Sequence, residues 1–137
     1  MTLEADKAVV RRYYTELWNS WDLSLVEELL APDLGFRGSL GVTTHGRDGF
    51  LDYLSMVRTA FPDFHNKIEE LVAEGDKVVA RLTYSGTHRG PLRDIQATGR
   101  RVSYAGVAIF RLAEGTIAEA WVLGDLHGLL EQLRVEE

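Results

Sequence analysis

The spacing of apolar residues changes once along this 137-residue chain, close to Pro62. Before that proline, apolar residues recur every three to four positions, which is the period of a helix with one buried face. After it they alternate with polar residues, which is the period of a strand with one buried face. Helices and strands that are segregated along a chain predict an α+β fold, in which helices cover one side of a sheet.

Three helices are predicted ahead of Pro62. Asp22 or Ser24 can cap the second one, and Pro32 is expected to end it, because the residue before a proline avoids the α conformation. The predicted bounds are 4–18 for the first helix, Leu25–Leu30 for the apolar part of the second, and about Arg47–Ala60 for the third.

Four long strands and a short helix are predicted after Pro62. The glycine-containing turns at 74–76 and 114–115 indicate hairpins. Residues 34–45, which hold three glycines, are predicted to form a short strand and a loop. A curved antiparallel sheet with helices over one side would form a cone around a pocket. The strands are predicted at 64–73, 77–88, 101–112 and 116–124, and the last helix at Leu126–Leu133.

Composition narrows the classes of function. The net charge of −6 argues against a nucleic-acid partner, which needs a basic face. The chain has no cysteine, which excludes disulfides, thiolate metal sites and a cysteine nucleophile. No apolar run approaches the ~20 residues of a membrane span, and the polar N-terminal segment lacks a signal-peptide pattern. We therefore expect a cytoplasmic protein that does not bind membranes.

The histidines give no indication of a metal or a cofactor site. None of the four lies in a metal-binding pattern, and no glycine-rich dinucleotide or phosphate motif occurs. No nucleophile elbow or credible Ser-His-Asp spacing is present either. His88 is the most interesting of the four, because it follows a strand on the face that also carries Tyr84. It could face a pocket or be a hydrogen-bonded residue at the rim.

Asp125 is the strongest candidate for a catalytic group. It ends a strand, and alternate residues of a strand share a face if no bulge intervenes. A carboxylate that ends an aromatic, apolar row loses hydration, which suits it to proton transfer. The alternative is that Asp125 caps the last helix, since Asp is a favoured N-cap residue. The row that would contain it comprises Ile117, Glu119, Trp121, Leu123 and Asp125.

Tyr104 lies on a second row, which alternates small and aromatic residues up to Phe110. Such a row suits a curved sheet around a ligand, but it is equally typical of core packing beneath helices. The same two alternatives hold for Trp121, which could form the floor of a pocket or fill the core.

Short motifs in order along the chain resemble the SnoaL-like polyketide cyclases, a family within the nuclear-transport-factor-2-like superfamily. The similarity covers nearly the whole chain and implies one domain over residues 1–137. The motifs are Val9–Asn19 with Asp22, Leu29–Asp33, Ala60–Asp63, Glu74–Val78, Ser85–Gly90, Thr98–Val102, Phe110-Arg111, Gly115–Glu119 and Trp121.

The resemblance implies both a fold and a reaction. The fold is an α+β cone, in which a strongly curved, mostly antiparallel sheet and three N-terminal helices enclose an apolar pocket, followed by a short C-terminal helix. Members of the family usually form dimers or tetramers. The implied reaction is a cofactor-free, aldol-type ring closure of an apolar polycyclic or aromatic carbonyl compound. Asp125 matches the family's general acid/base, and His88 or Tyr104 would donate a hydrogen bond to the enolate oxygen.

Other functions on the same scaffold are alternatives. Relatives often carry a histidine shortly after the Pro-Asp that follows the second helix, but residues 33–38 contain none. A hydroxylase, an isomerase, an epoxide hydrolase and a non-catalytic small-molecule-binding module are therefore retained as alternatives. The expected pocket residues besides the catalytic candidates are Trp121, Glu119, Tyr84, Phe110 and Arg37.

Overall fold

The computed structural model describes residues 2–134, so the predicted domain bounds of 1–137 include four residues outside the described part. None of the helices in the described part is long and apolar enough to cross a membrane. The elements in chain order are α1 (Leu3–Arg12), α2 (Leu25–Leu29), β1 (Leu30–Arg37), β2 (Thr43–His45), α3 (Gly46–Ala60), β3 (His65–Glu74), β4 (Lys77–Thr87), β5 (Arg101–Ala113), β6 (Thr116–Gly124) and α4 (Leu126–Arg134).

The strands form one curled sheet in the order β2-β1-β6-β5-β4-β3. All neighbouring strands are antiparallel except β1 and β6, which run parallel. The helices α1, α2 and α3 pack on the inner face of this sheet. The predicted α+β architecture, with three N-terminal helices and a short C-terminal one, is confirmed.

The first helix changes its geometry halfway. After Arg12 the chain continues as a π-helical turn over Tyr13–Trp18, in which the Asn19 N–H bonds the Tyr14 carbonyl five residues back. The predicted helix over 4–18 therefore has the correct extent but is α-helical only in its first part. Single π-helical turns often occur at functional sites. Here the turn brings two consecutive tyrosines and Trp18 against the sheet.

Pro32 lies inside a strand instead of ending a helix. The helix α2 ends at Leu29, and β1 begins at once with Leu30. The ladder between β1 and β6 is interrupted between Leu30 and Gly35, which is where a residue without an N–H can be accommodated. Residues 34–45, predicted as one strand and a loop, form the end of β1 and the edge strand β2.

The inner face of β4 and β5 follows the predicted alternation. Register pairs Tyr84 with Tyr104 and Leu82 with Gly106, and all four positions are buried. The predicted face shared by Tyr84 and His88 and the predicted row from Tyr104 to Phe110 are both confirmed by burial.

A β-bulge reverses the alternation in β6. Ala118 is an extra residue between Ile117 and Glu119, which are the positions paired with β5. A bulge of one residue turns the later side chains to the opposite face of the sheet. Ile117 is fully buried, whereas Glu119 is exposed and Trp121 is 45% exposed. The predicted row therefore does not include Ile117, because Glu119, Trp121, Leu123 and Asp125 are exposed whereas Ile117 is buried.

The outer face of the sheet exposes several large apolar side chains. Register pairs Ile109 with Trp121 and Val107 with Leu123, so four of them are neighbours on adjacent strands. Assembly as a homodimer or homotetramer stays a prediction. An exposed apolar patch of this kind is typical of a surface between protein copies.

Gly106 gives a direct test of the packing on the inner face. A Cβ at this position would lie 2.9 Å from the Tyr84 hydroxyl and 3.0 Å from the ring carbon that carries it. We expect Gly106→Ala to lower the free energy of unfolding by about 1–3 kcal/mol, because the ring must shift in a packed core. Urea unfolding followed by circular dichroism measures this. The matched control is Ala105→Ser on the outer face, expected to stay within about 0.5 kcal/mol of wild type. Equal stability of the two variants would contradict the packing described.

Candidate functional site

A small internal cavity lies between the π-helical turn and the inner face of the sheet. Its volume is about 20 Å³, which is room for about one water molecule. Seven of its eleven lining residues are aromatic, and the polar ones besides tyrosine are Ser39 and Asn66. The interior of the cone is thus largely filled with aromatic rings. The cavity is far smaller than a polycyclic ligand, so the apolar pocket that the resemblance implies stays a prediction.

All five tyrosines of the chain are buried in this interior, and each is at most 5% exposed. Burial raises the pKa of every one of them, and neighbouring tyrosines raise the pKa of four of them further. At neutral pH they are therefore uncharged hydroxyls that can donate and accept hydrogen bonds. They are Tyr13 and Tyr14 on the π-helical turn, Tyr53 on α3, Tyr84 on β4 and Tyr104 on β5.

The tyrosine hydroxyls differ in their partners. The hydroxyls of Tyr104 and Ser39 lie 2.9 Å apart, and the Tyr53 hydroxyl accepts the Leu40 N–H at 3.2 Å. The Tyr84 hydroxyl is buried and has no hydrogen-bond partner among residues 2–134. Burying a polar group without a partner costs about 1–3 kcal/mol. Of the groups on the cavity wall, Tyr84 therefore gains most from a ligand that offers an acceptor.

Aromatic neighbours fix the orientation of the Tyr84 ring. It stacks on Phe64, with centroids 5.7 Å apart and planes inclined by 18°, and contacts the Tyr104 ring at 4.9 Å. Gly106 lies beneath it and has no side chain to obstruct it. A donor held by packing on several sides needs little reorganisation when it meets an acceptor.

Among the expected pocket residues, Tyr84 lines the cavity and Phe110 supports it. Phe110 is completely buried, and its ring lies 5.4 Å from Tyr13 and 5.8 Å from Tyr14. Tyr104 is not itself on the cavity wall, but it contacts Tyr84 there.

His88 is completely buried but does not line the cavity. Its Nδ1 accepts the Thr98 N–H at 3.1 Å, which places the proton of the neutral ring on Nε2. Burial lowers its pKa, and the backbone of Gly90 only partly opposes this effect. The ring packs against Phe61 with centroids 5.7 Å apart. Nδ1 therefore fits the alternative of a hydrogen-bonded residue at the end of a strand, whereas Nε2 is buried without a partner among residues 2–134. A catalytic role for His88 stays a prediction.

Asp125 lies outside the cone and is exposed. Its Oδ1 accepts the Gly128 N–H at 2.9 Å, and its backbone carbonyl accepts the Leu129 N–H at 3.1 Å. These two bonds make Asp125 the N-cap of α4, which is the alternative that the sequence left open. The expected position in an apolar hollow is wrong, because the bulge at Ala118 turns this end of β6 outwards. A role in proton transfer stays a prediction for Asp125.

The remaining three expected pocket residues lie together on the outer face of the sheet. The Arg37 guanidinium lies 5.4 Å from the centre of the Trp121 ring and donates to the Val122 carbonyl. Glu119 forms an ion pair with Arg111. All three border an open groove of about 610 Å³ against the edge strand β2. Their expected position inside the cone is wrong. Glu119 and Trp121 follow the bulge at Ala118 and face outwards, and Arg37 pairs with Trp121 from the neighbouring strand β1.

The sequence pattern does not identify most residues of the cavity wall. Periodicity assigns Tyr13 and Tyr14 to the apolar stripe of a helix, and it does not single out Ser39, Tyr53 or Asn66. One signal was present, because every tyrosine of the chain occupies an inward position of its element. A residue with one polar atom, placed only at core positions, indicates an interior that needs hydroxyl groups.

The cavity wall has hydrogen-bonding capacity but no ordinary proton acceptor. Its described residues include no carboxyl and no imidazole group. In the described part of the chain, no cluster of three His, Asp or Glu side chains could hold a metal ion. The arrangement can orient a carbonyl oxygen and stabilise charge on it.

Comparisons with known proteins point in one direction. The model of the SnoaL-like polyketide cyclase family matches residues 8–133. A search of curated proteins finds no match.

Solved structures give the same result. IdmH from Streptomyces antibioticus, provisionally named a polyketide cyclase, is 30% identical with a TM-score of 0.82, over 95% of this chain and 99% of its own. AclR from Streptomyces galilaeus, provisionally named a hydroxylase, is 28% identical with a TM-score of 0.83, over 99% of this chain and 89% of its own. A SnoaL-like protein from Jannaschia sp. CCS1, provisionally named a polyketide cyclase, shares the fold at a TM-score of 0.89 and 21% identity, over 98% and 94% of the two chains.

The raised tyrosine pKa values predict a loss of stability in alkali. In the unfolded chain a tyrosine ionises near pH 10. The stability that the buried tyrosines contribute is therefore complete below about pH 10 and is lost as the pH rises towards their higher folded pKa values. We expect tyrosinate absorbance to appear in the same transition in which the near-ultraviolet circular dichroism disappears. Tyrosines that ionise near pH 10 in a protein with intact tertiary signal would contradict their burial.

The capping role of Asp125 predicts a difference between two substitutions. Asn caps helices about as well as Asp, whereas Ala does not cap. We expect Asp125→Ala to lower the free energy of unfolding by about 1 kcal/mol and Asp125→Asn to leave it nearly unchanged. Urea unfolding of both variants measures this, with wild type as the reference. Equal stability of the Ala and Asn variants would argue against the cap.

Proposed function

Because the chain belongs to the SnoaL-like polyketide cyclase family, we propose that it binds an aromatic or polycyclic carbonyl compound inside the cone and closes a ring in it. In this proposal neutral tyrosine hydroxyls stabilise the oxygen on which charge develops. The observation that carries the proposal is the buried Tyr84 hydroxyl on the cavity wall, which lacks a partner among residues 2–134. A fixed donor in a dry, apolar site stabilises an enolate or alkoxide oxygen strongly.

The chemistry of the substrate class fits a site without a carboxylate. Compounds with two carbonyl groups on one carbon exist partly as enols, so the nucleophilic carbon forms without a strong base. The enol carbon attacks a further carbonyl carbon elsewhere in the molecule, a carbon–carbon bond forms, and the oxygen of that carbonyl becomes an alkoxide. Tyr84 donates its proton to that alkoxide and takes up the proton that the enol oxygen loses. Removing one such donor typically costs a factor of about 10²–10³ in rate.

Other groups have supporting roles in this proposal. The Tyr104 hydroxyl is held by Ser39 at 2.9 Å and lies beside Tyr84, so it can supply a second donor once the interior opens. The resemblance assigns the acid–base role to Asp125 instead. That competing proposal needs the carboxylate to leave its capping position at the start of α4, where it now accepts the Gly128 N–H.

Non-catalytic binding is a second candidate function. It is favoured by one observation, which is that no carboxyl or imidazole group occurs among the described residues on the cavity wall. Hydroxylation is a third, supported by the 28% identity to AclR, and a reaction that requires oxygen would distinguish it. All three candidates use the same ligand class in the same interior.

Any ligand of this class must open the cavity. A void of about 150 Å³ holds one benzene ring, whereas the cavity measures about 20 Å³. Side chains of the wall other than those that hold Tyr84 must therefore move when a ligand binds.

Benzoylacetone, an aromatic 1,3-diketone, is a suitable probe, because its enol and enolate absorb at different wavelengths. We expect the pKa of bound benzoylacetone to be ~1–2 units higher in Tyr84→Phe than in wild type, because the enolate loses one hydrogen bond. Spectrophotometric pH titration of the bound probe measures this. Asp125→Asn is the control and should leave that pKa unchanged.

Two results would contradict the proposal. If only Asp125→Asn changes the pKa of the bound probe, the acid–base role belongs to Asp125. If the probe binds with the same pKa in wild type and both variants, the protein binds such compounds without stabilising their enolates, which favours the non-catalytic function.

A further inference from the structure

A surface depression lies directly outside the internal cavity. Its volume is about 150 Å³, and it is formed where α3 ends and β3 begins, next to the end of the π-helical turn. Trp18 and Phe64 line both the depression and the cavity. Their ring centroids are 5.8 Å apart. These two rings therefore lie between the depression and the cavity that the tyrosines line.

One cation in the depression is left without a counterion. The Arg58 guanidinium lies 4.3 Å from the centre of the Trp21 ring and stacks on it. Arg58 forms no ion pair with any of residues 2–134. Stacking uses the flat face of a guanidinium and leaves the N–H groups at its edge free to donate. That edge suits a carboxylate, which can accept two parallel hydrogen bonds from it.

The acidic residue of the depression does not serve as the partner of Arg58. Asp63 accepts the Thr87 N–H at 2.6 Å and the Thr87 hydroxyl at 2.8 Å, and it pairs with Arg101 at 3.3 Å. Burial would raise the pKa of Asp63, but the bonds from Thr87 and the charge of Arg101 outweigh it and lower the pKa. The negative charge of Asp63 is thus already compensated, and Arg58 remains available.

The aromatic partner of Arg58 is held in an unusual backbone conformation. Trp21 has a φ of 59°, in the left-handed region that residues other than glycine rarely adopt. Conformations of this kind persist where the surrounding structure enforces them, and they are frequent at ligand clamps. The conformation places the Trp21 ring beneath the guanidinium, with Trp18 beside it at 6.5 Å.

We propose that this depression binds the carboxylate of an aromatic carboxylic acid, with Arg58 as its partner and the rings directed between Trp18 and Phe64. This proposal rests on the proposed function in one respect only, which is that the rings of the ligand would lie beside Tyr84. A void of about 150 Å³ holds one benzene ring, so a larger ring system reaches the two wall residues. The ligand class is thereby narrowed from aromatic carbonyl compounds to those that also carry a carboxylate.

Calorimetric titration with 2-naphthoate tests the proposal. We expect Arg58→Gln to weaken binding by about tenfold or more, because a charged hydrogen-bonded pair is lost. Arg58→Lys should bind 2-naphthoate with an affinity between those of wild type and Arg58→Gln, because lysine keeps the charge but lacks the planar guanidinium. The matched control is Arg11→Gln, which removes the same charge from an exposed position on α1 and should bind like wild type.

The indole N–H resonances locate the bound probe. The chain has three tryptophans, of which Trp18 and Trp21 line the depression and Trp121 lies on the outer face of the sheet. With 2-naphthoate, we expect the first two resonances to shift and the third to stay in place. Three results would overturn the proposal: no binding to wild type, equal binding to Arg58→Gln, or a shift of Trp121 alone.

A neutral probe of the same shape separates this proposal from the proposed function. 2-Acetylnaphthalene has a ketone in place of the carboxylate and should bind equally to wild type and Arg58→Gln. If Tyr84→Phe weakens the binding of 2-acetylnaphthalene while Arg58→Gln leaves the binding of 2-naphthoate unchanged, the carboxylate site is wrong and the proposed function stands. If 2-naphthoate requires Arg58 but neither probe responds to Tyr84→Phe, the carboxylate site stands and the proposed function fails.

Discussion

The structure depends on aromatic rings of the π-helical turn packing onto the inner face of the sheet. Tyr13 and Tyr14 lie against Phe110, which is almost one hundred positions later in the chain, and this contact joins the helical layer to the strands. The rings are tyrosines, so the apolar surface that stabilises the fold carries hydroxyl groups into the interior with it. The packing that holds the cone together thus also removes these hydroxyls from water and keeps them protonated.

Much of the fold could be predicted from the sequence, because helices and strands space their apolar residues with different periods. The change of period at Pro62 predicts helices before strands, and unbroken alternation in β4 and β5 predicts which side chains face inwards. The prediction failed where regular alternation was interrupted. Nothing in the letters Ile117-Ala118-Glu119 indicates a bulge, yet one extra residue reverses every later side chain of β6. The position of Pro32 inside a strand could not be predicted either, because it depends on a local interruption of the hydrogen-bond ladder between β1 and β6.

The candidate site was predictable to the extent that it lies on regular strands. Tyr84 and Tyr104 were identified by parity on strands without bulges, and both are in the interior. Asp125 was identified on the bulged strand, and it is instead the cap of α4. The size of the cavity depends on sheet curvature and on how seven rings interlock, neither of which has a period in the sequence. The contact between Arg58 and Trp21 could not be predicted for another reason. It joins the end of α3 to a loop after the π-helical turn, and periodicity does not show which loop meets which helix.

A crystal structure with 2-acetylnaphthalene bound would show whether the interior of the cone opens to a ligand beside Tyr84. We expect the rings inside the cone, with Trp18 displaced, Phe64 still stacked on Tyr84, and the ketone oxygen within ~3 Å of the Tyr84 hydroxyl. A ligand found only in the groove on the outer face, with the interior tyrosines packed as they are now, would contradict this expectation.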